Sequence, residues 1–190
     1  MSLRIIGGKF QRRKLQTAQS INLRPTKSIL RETVFNICQN YIEDAYFLDI
    51  FSGTGAMGIE AISRGALYAV FIEKDSKSAC LIQQNISLLK IEDQAEVICK
   101  DVFKGLKTLD NQFDIIYIDP PYELFEKHEE KMFFIFQELA DKKLVKANAI
   151  LFLEGPYNKS REKSPYEFPF FKNISKRKIG KTILYQYQLN

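Results

Sequence analysis

The feature that most constrains the fold is a regular alternation of short apolar runs and helical segments between residues 46 and 153. The apolar runs lie at residues 46–50, 69–72, 95–99, 113–118 and 149–153. Between them, the apolar spacing predicts helices over 56–63, over 76–89 and around 133–139. Such alternation is typical of a parallel sheet with helices on both faces. The sequence therefore predicts an α/β fold with a doubly wound, mostly parallel sheet.

The two ends of the chain add strands to this pattern. Residues 3–10 and 13–16 predict a short hairpin, followed by a helix that Thr26 or Ser28 caps and that runs to about Tyr41. Near the end, residues 168–179 and 182–189 flank Gly180 and Lys181, which predicts an antiparallel pair at the sheet edge. We expect a seven-stranded sheet and a separate N-terminal hairpin, with residues 1–25 as a basic arm and residues 26–190 as the main domain.

The charge is distributed very unevenly along the chain. Residues 1–31 contain eight Lys or Arg and no acid, and residues 159–190 contain eight Lys or Arg against Glu162 and Glu167. The segment between them is acidic, although the whole chain has a net charge of +5. Two basic ends around an acidic body suggest a surface that binds phosphates, next to a pocket for something cationic.

Acidic residues lie at the ends of four successive predicted strands: Asp49, Glu73, Asp101 and Asp119. Ligands of open parallel sheets bind at the carboxyl ends of the strands. Gly53 and Gly55 form a glycine turn after the first strand, and Glu73 lies 20 residues after Gly53, as expected for a carboxylate that binds ribose hydroxyls. This pattern alone fits a nicotinamide dinucleotide as well as S-adenosylmethionine. An acid at Asp49 repels a pyrophosphate but suits an ammonium group and a nearby sulfonium, and Asp101 suits an adenine amino group.

The sequence Asp119-Pro120-Pro121-Tyr122 follows the fourth strand and favours the methyl donor. Two prolines stiffen the loop, so that the Asp119 carboxylate and the Pro120 carbonyl form a fixed pair of acceptors. When these two acceptors take hydrogen bonds from both N–H groups of a base amine, they favour a pyramidal nitrogen. The lone pair of that nitrogen can then attack a methyl carbon. Tyr122 provides a ring on which the base can stack.

Other residue types point to no metal and no membrane. Cys38, Cys80 and Cys99 are widely separated and lack metal-ligand spacing, and His128 is the only histidine. No apolar run approaches the roughly 18 residues that a membrane span needs. We therefore expect a cytoplasmic protein with reduced thiols and no metal.

Several runs together resemble the RsmD family of class I methyltransferases. They are RIIGGKF (4–10), RPT (24–26), RETVFN (31–36), LDIFSGTGAMGIEAISRGA (48–66), FIEK (71–74) and DPPY (119–122). The resemblance implies a Rossmann-like fold and methyl transfer from S-adenosylmethionine to N2 of a guanine in bacterial 16S rRNA. It also implies that the substrate is a small ribosomal subunit or an assembly intermediate, and we expect the enzyme to act as a monomer. The chain departs from the family at Lys181, where Gly-Asp-Thr is frequent.

The resemblance also implies roles for individual residues. The donor pocket would be lined by Asp49, Ser52, Gly53, Gly55, Glu73, Lys74, Asp101 and Val102. The target base would face Asp119, Pro120, Pro121 and Tyr122. RNA would contact Arg4, Lys9, Arg12, Arg13, Arg24 and Arg31.

Three other functions remain open from the sequence. DNA adenine-N6 or cytosine-N4 methyltransferases use the same catalytic loop, but they usually add a target-recognition domain for which 190 residues leave little room. Asp49 and the DPPY loop disfavour a dinucleotide-dependent oxidoreductase. A ribosome-assembly factor that has lost its chemistry is disfavoured by the intact DPPY loop.

Overall fold

The computed structural model describes residues 3–17, 25–157 and 166–190, and it contains one seven-stranded sheet. The strand order is β3-β2-β1-β4-β5-β7-β6, with β1 to β5 parallel and the last two strands antiparallel. The strands are β1 (Tyr46–Ile50), β2 (Tyr68–Ile72), β3 (Ala95–Ile98), β4 (Phe113–Ile118), β5 (Val145–Pro156), β6 (Phe171–Ile179) and β7 (Thr182–Leu189). This arrangement confirms the predicted doubly wound, mostly parallel sheet.

Six α-helices connect or flank these strands. They are α1 (Pro25–Cys38), α2 (Ala56–Ser63), α3 (Ser76–Leu89), α4 (Val102–Gly105), α5 (Glu123–Glu126) and α6 (Glu129–Asp141). The bounds predicted for α2 and α3 agree with the structure. Asp75 explains the sharp start of α3, since its carboxylate accepts a hydrogen bond from the amide of Ser78.

The sheet separates two apolar cores. One core lies under α4 and α6 and includes a cluster of stacked rings, in which the Phe136 and Phe168 rings are 3.6 Å apart. The other lies under α1, α2 and α3 and includes Phe35 and Phe47. Burial on both faces explains why the central strands read as continuous apolar runs in the sequence.

The first helix differs from the prediction at both ends. It begins at Pro25, so Ser28 lies within the helix and does not cap it. It ends at Cys38, so Tyr41 lies beyond the helix and is exposed. The inward side consists of Leu30, Val34, Phe35 and Cys38, whose spacing matches one face of a helix.

The described part of the N-terminal arm forms a short hairpin that packs on the main domain. Arg4 and Lys14 form an antiparallel bridge, and the side chains of Ile5 and Leu15 are buried in the core under α2. Glu60 of α2 holds the hairpin, because its carboxylate accepts hydrogen bonds from the amides of Ile6 at 2.8 Å and Gly7 at 2.7 Å. A buried carboxylate thus fixes the hairpin to α2.

Across residues 3–17, 25–157 and 166–190, none of the helices has the length and apolar character that a membrane crossing requires.

Candidate active site

Acidic side chains line up along the carboxyl edge of the parallel strands. In sheet order they are Asp101 after β3, Glu73 after β2, Asp49 in β1, Asp119 after β4 and Glu154 in β5. The parallel register brings the ends of these strands to one edge of the sheet. The first four of these acids were expected from the sequence, and Glu154 was not.

The glycine turn after β1 is held open on the side that faces this edge. Gly53 and Gly55 both have positive φ angles, which a residue with a side chain rarely adopts. The space beside the Gly53 Cα is open: a Cβ placed there would meet only the Phe51 carbonyl oxygen, at 3.9 Å. Ser52 fixes the turn from within, since its hydroxyl donates to the carbonyl of Asp49 at 2.6 Å. A ligand can therefore approach the backbone of the turn closely.

Glu73 ties the end of β2 to this turn. Its Oε2 accepts a hydrogen bond from the Gly53 amide at 2.7 Å, and its Oε1 accepts one from the Asp75 amide at 2.8 Å. An ionised carboxylate has about four acceptor positions, so each oxygen retains one. Glu73 is thus oriented to accept two further hydrogen bonds, as a pair of ribose hydroxyls would require.

Asp49 lies deeper than the sequence suggested. Only 2% of the residue is exposed, and its Oδ2 accepts a hydrogen bond from the Gly58 amide at 3.0 Å. Burial, together with the nearby Asp119 and Glu73, raises the pKa of Asp49 to about 8. A neutral carboxyl is therefore favoured at neutral pH, and its hydrogen bond with Gly58 joins β1 to the first turn of α2.

Asp101 and Val102 follow the carboxyl end of β3. The Asp101 carboxylate caps α4 by accepting a hydrogen bond from the Phe103 amide at 3.0 Å. Val102 is buried in the core under α4 and α6. Neither residue lines the cavity described next, and their roles toward an adenine ring stay predictions.

A cavity of about 450 Å³ opens between the ends of β2, β4 and β5. Its volume lies within the range of small-molecule sites. Glu73 and Lys74 line one side, and the DPPY loop lines the other. The full lining is Lys27, Phe51, Glu73, Lys74, Asp119, Pro120, Pro121, Tyr122 and Glu154. The structure thus brings the expected catalytic loop and part of the expected donor site to one cavity.

Lys27 of α1 reaches this cavity and pairs with the catalytic loop. Its Nζ lies 3.3 Å from Asp119 Oδ2. Burial raises the pKa of Asp119, while the Lys27 ammonium opposes that rise. Asp119 raises the pKa of Lys27 in turn, so the pair favours a charged ammonium. From the sequence, Lys27 could be identified only as one cation of the basic segment 1–31.

Glu154 is the other residue that the sequence analysis missed. It is 5% exposed, it lines the cavity beside Asp119, and its Oε2 accepts a hydrogen bond from the Tyr117 hydroxyl at 2.6 Å. Burial, and after it the neighbouring Asp119, raise the pKa of Glu154 to about 7. The carboxyl groups of Asp119 and Glu154 therefore titrate as a coupled pair.

The arm cations differ in their placement. Arg4, Lys9, Arg12 and Arg13 are exposed on the hairpin, and Arg24 lies outside the described residues. Lys9 Nζ donates to Gln94 Oε1 at 2.8 Å, directly before β3 begins. The tip of the hairpin therefore lies near the amino ends of the strands, at the edge opposite the cavity.

The prediction that Arg31 contacts RNA is not supported. Arg31 is 4% exposed, its Nε lies 3.7 Å from Glu60 Oε2, and its Nη2 donates to the Arg4 carbonyl at 2.8 Å. Its guanidinium is enclosed between α1, α2 and the hairpin, where a phosphate has no access. Arg31 instead joins the hairpin to the main domain.

Among the residues that the structure describes, no group of three or more His, Cys, Asp or Glu side chains has an arrangement that could hold a metal ion.

Comparisons with known proteins agree with this geometry. Residues 3–188 match the family described as "Conserved hypothetical protein 95". "Ribosomal RNA small subunit methyltransferase D" of Haemophilus influenzae is 36% identical over 160 residues, which cover 83% of this chain and 80% of that protein. The protein of the same name from Buchnera aphidicola is 36% identical over 151 residues, which cover 79% of this chain and 76% of that protein.

Solved structures share the whole fold. An Escherichia coli protein named as a methyltransferase, yhhF, superposes with a TM-score of 0.84 at 27% identity, covering 100% of this chain and 99% of that one. A Haemophilus influenzae protein named as a methylase has a TM-score of 0.78 at 30% identity, with 100% and 99% coverage. The chain is therefore a member of the RsmD family of class I methyltransferases.

Proposed function

We propose that this chain transfers a methyl group from S-adenosylmethionine to the exocyclic N2 of a guanine in bacterial 16S rRNA, within small ribosomal subunits or their assembly intermediates. The observation that carries the proposal is the cavity shared by Glu73 and the DPPY loop. One wall suits the ribose of a methyl donor, and the other suits a base amine. Two relatives named "Ribosomal RNA small subunit methyltransferase D" support the RNA substrate.

The residues around the glycine turn fit the methyl donor. The open space beside Gly53 admits a ligand to the backbone, and Glu73 keeps an acceptor position on each oxygen for ribose hydroxyls. Lys74 lies on the same side of the cavity. When bound, S-adenosylmethionine supplies an electrophilic methyl carbon on a positively charged sulfur.

The DPPY loop would orient the attacking nitrogen. Tyr122 is 43% exposed at the mouth of the cavity, where its ring is available to stack on a base. Lys27 and Glu154 both engage the Asp119 carboxylate. A carboxylate has about four acceptor positions, so Asp119 keeps capacity for one N–H bond of the amine, and the Pro120 carbonyl would accept the other. The N–C bond forms as the S–C bond breaks, and the sulfur keeps the electron pair of that bond. This chemistry rests mainly on positioning.

The proton released from the methylated nitrogen needs an acceptor in the cavity. Asp119 and Glu154 both line the cavity, and burial, together with Asp119, raises the pKa of Glu154 to about 7. We assign Glu154 as a positioning residue that shares this proton with Asp119. Tyr117 holds Glu154 in place through its hydroxyl.

The experiment that tests this function is methylation of small subunits that lack their native modifications. The purified protein is incubated with these particles, protein-free 16S rRNA and duplex DNA, each with labelled S-adenosylmethionine. Nucleoside analysis should find N2-methylguanosine in the particles and no methylated adenine or cytosine in the DNA. Labelled DNA with unlabelled RNA would overturn the proposal in favour of a DNA amino-methyltransferase.

A further inference from the structure

The last two strands and the turn between them carry most of the basic residues of the C-terminal end, for which the sequence predicts phosphate binding without placing it relative to the cavity. Residues 168–190 contain five Lys or Arg and no Asp or Glu. Four of these cations lie near the turn between β6 and β7, and all four are exposed: Lys176, Arg177, Lys178 and Lys181. The fifth, Lys172, is also exposed but lies near the other end of β6.

The strand register brings this turn to the catalytic edge of the sheet. β5 runs parallel to β4, so its last residue, Pro156, lies at the carboxyl edge, and Pro156 pairs with Thr182 at the start of β7. The amide of Tyr157 donates to the Lys181 carbonyl at 2.9 Å. The β6–β7 turn therefore lies at the same edge as the DPPY loop.

One cation is level with the cavity itself. Arg177 pairs with Leu184 of β7, and Leu184 pairs with Glu154 of β5. Directly paired residues point to the same face, and neighbouring strands lie about 4.8 Å apart, so the Arg177 and Glu154 backbones are separated by about 10 Å. Lys178 is held over the Tyr157 ring, with Nζ 3.5 Å from the ring centroid.

The N-terminal hairpin is placed less favourably. Its tip lies near the amino ends of the strands, because Lys9 contacts Gln94 just before β3. RNA that reaches Lys9 must cross the depth of the sheet from the cavity. RNA that enters the cavity lies directly beside the β6–β7 turn.

We propose that the β6–β7 turn, through Arg177, Lys178 and Lys181, binds backbone phosphates of the substrate RNA next to the target guanine. This inference rests on the proposed function and adds a surface to it. Phosphate contacts fix the register of a nucleic acid and do not read its bases. The turn would therefore set the position of the RNA, while the DPPY loop receives the base.

The test compares Arg177→Glu/Lys181→Glu with the control Lys172→Glu, which alters the far end of the same strand. Binding to small subunits is measured between 50 and 300 mM salt, without methyl donor. We expect the double variant to bind about tenfold more weakly at low salt and to lower the magnitude of the salt slope by about 1.5. The control should stay within about twofold of wild type. Unchanged melting temperature and donor affinity would show that the double variant is folded.

The outcomes separate the surface from the function. If the double variant binds like wild type, or if Lys172→Glu loses as much affinity, the proposed surface is wrong, although methyl transfer by wild type still supports the function. The double variant could also bind particles more weakly while its salt slope and its binding to protein-free rRNA stay normal. That result would indicate that the turn contacts a ribosomal protein, and it would overturn the proposed phosphate-binding surface. If wild-type protein neither binds rRNA nor methylates it, the proposed function itself fails.

Discussion

The hydroxyl of Tyr117 donates a hydrogen bond to Glu154 Oε2 at 2.6 Å, between the neighbouring strands β4 and β5. This bond favours the ionised form of Glu154, whereas burial and Asp119 oppose ionisation. The groups that face Glu154 are Tyr117 and Asp119 from β4 and Lys27 from α1, while β7 places the apolar Leu184 beside it. Proton transfer at this cavity should therefore depend on pH near neutrality.

Glu154→Gln and Tyr117→Phe should shift the pH dependence of methyl transfer in opposite directions. In wild type, we expect the single-turnover rate to rise with pH through an inflection near 7, where the carboxyl pair loses its second proton. Glu154→Gln leaves only Asp119 to titrate and removes the neighbouring anion, so the inflection should fall to a lower pH. Tyr117→Phe removes a bond that stabilises the Glu154 anion, so the inflection should rise.

Single-turnover rates at saturating substrate, measured from pH 5.5 to 9, test this pair of variants. Donor affinity, measured by calorimetry, serves as the control and should be unchanged in both. If the inflection moved in the same direction in Glu154→Gln and Tyr117→Phe, the assignment of the proton to the Asp119–Glu154 pair would be wrong.

Lys27→Met should also raise the pH at which the single-turnover rate has its inflection, but by less than about one pH unit. The ammonium lowers the pKa of both carboxyl groups, and its loss makes each harder to ionise. The effect is limited because 66% of the Lys27 side chain is exposed, so water and salt screen the interaction. Lys74→Met, on the Glu73 side of the same cavity, is the matched control. Equal shifts in Lys27→Met and Lys74→Met would show that the inflection responds to the total charge of the cavity and not to the Lys27–Asp119 pair.

The sequence predicted the sheet well because each central strand is buried on both faces. The runs of β1 and β4 contain few polar residues, and the bounds of α2 and α3 follow from Gly55 and Asp75 at their starts. The DPPY loop was recognisable because its four residues are contiguous. These features are local, and local patterns are what a single sequence displays.

Glu154 and Arg31 show what the sequence could not reveal. Glu154 lies in β5, directly after the apolar run 149–153 and two residues before the strand ends at Pro156. Its place beside Asp119 depends on the pairing of β4 with β5. Arg31 lay in a basic segment, and its partner Glu60 is 29 residues away in another helix. Long-range pairings of this kind require the folded chain.

Asp119→Ala and Glu73→Ala should impair different steps. Asp119→Ala should abolish most turnover and leave donor affinity nearly unchanged, because its acceptor role matters mainly as the nitrogen becomes pyramidal. Glu73→Ala should weaken donor binding, since it removes the ribose acceptor and frees the Gly53 amide. Calorimetric titration with S-adenosylmethionine and single-turnover assays separate the two effects. Near wild-type turnover in Asp119→Ala would mean that the catalytic loop is assigned wrongly.

Asp49→Asn should reduce the pH dependence of folding stability. Burial raises the Asp49 pKa to about 8, so between about pH 4 and 8 the folded state retains a proton that the unfolded state loses. Stability therefore falls as pH rises, by up to about 1.4 kcal/mol per pH unit for this group. Asparagine does not titrate and can still accept the Gly58 hydrogen bond. Urea unfolding at pH 5.5 and 7.0 should show a smaller difference for Asp49→Asn, and an equal difference would argue against a protonated Asp49.

Arg31→Met should destabilise the fold without changing the electrostatics of RNA binding. Removal of the guanidinium leaves Glu60, which is fully buried, without one of its two neighbouring cations. Loss of one partner from a buried ion pair typically costs about 3–5 kcal/mol. The control is Arg13→Met on the exposed face of the hairpin, which should change stability by less than about 0.5 kcal/mol.

The two arginine variants also differ in their expected salt dependence. If Arg13 binds a phosphate, as the family resemblance predicts, Arg13→Met lowers the magnitude of the salt slope by about 0.7–0.9, whereas Arg31→Met leaves it unchanged. Chemical unfolding and salt-dependent binding to small subunits provide the two measurements. If Arg31→Met were as stable as wild type and had the lower slope, Arg31 would be the RNA contact that the sequence predicted, and its burial between α1 and α2 would have to open when RNA binds.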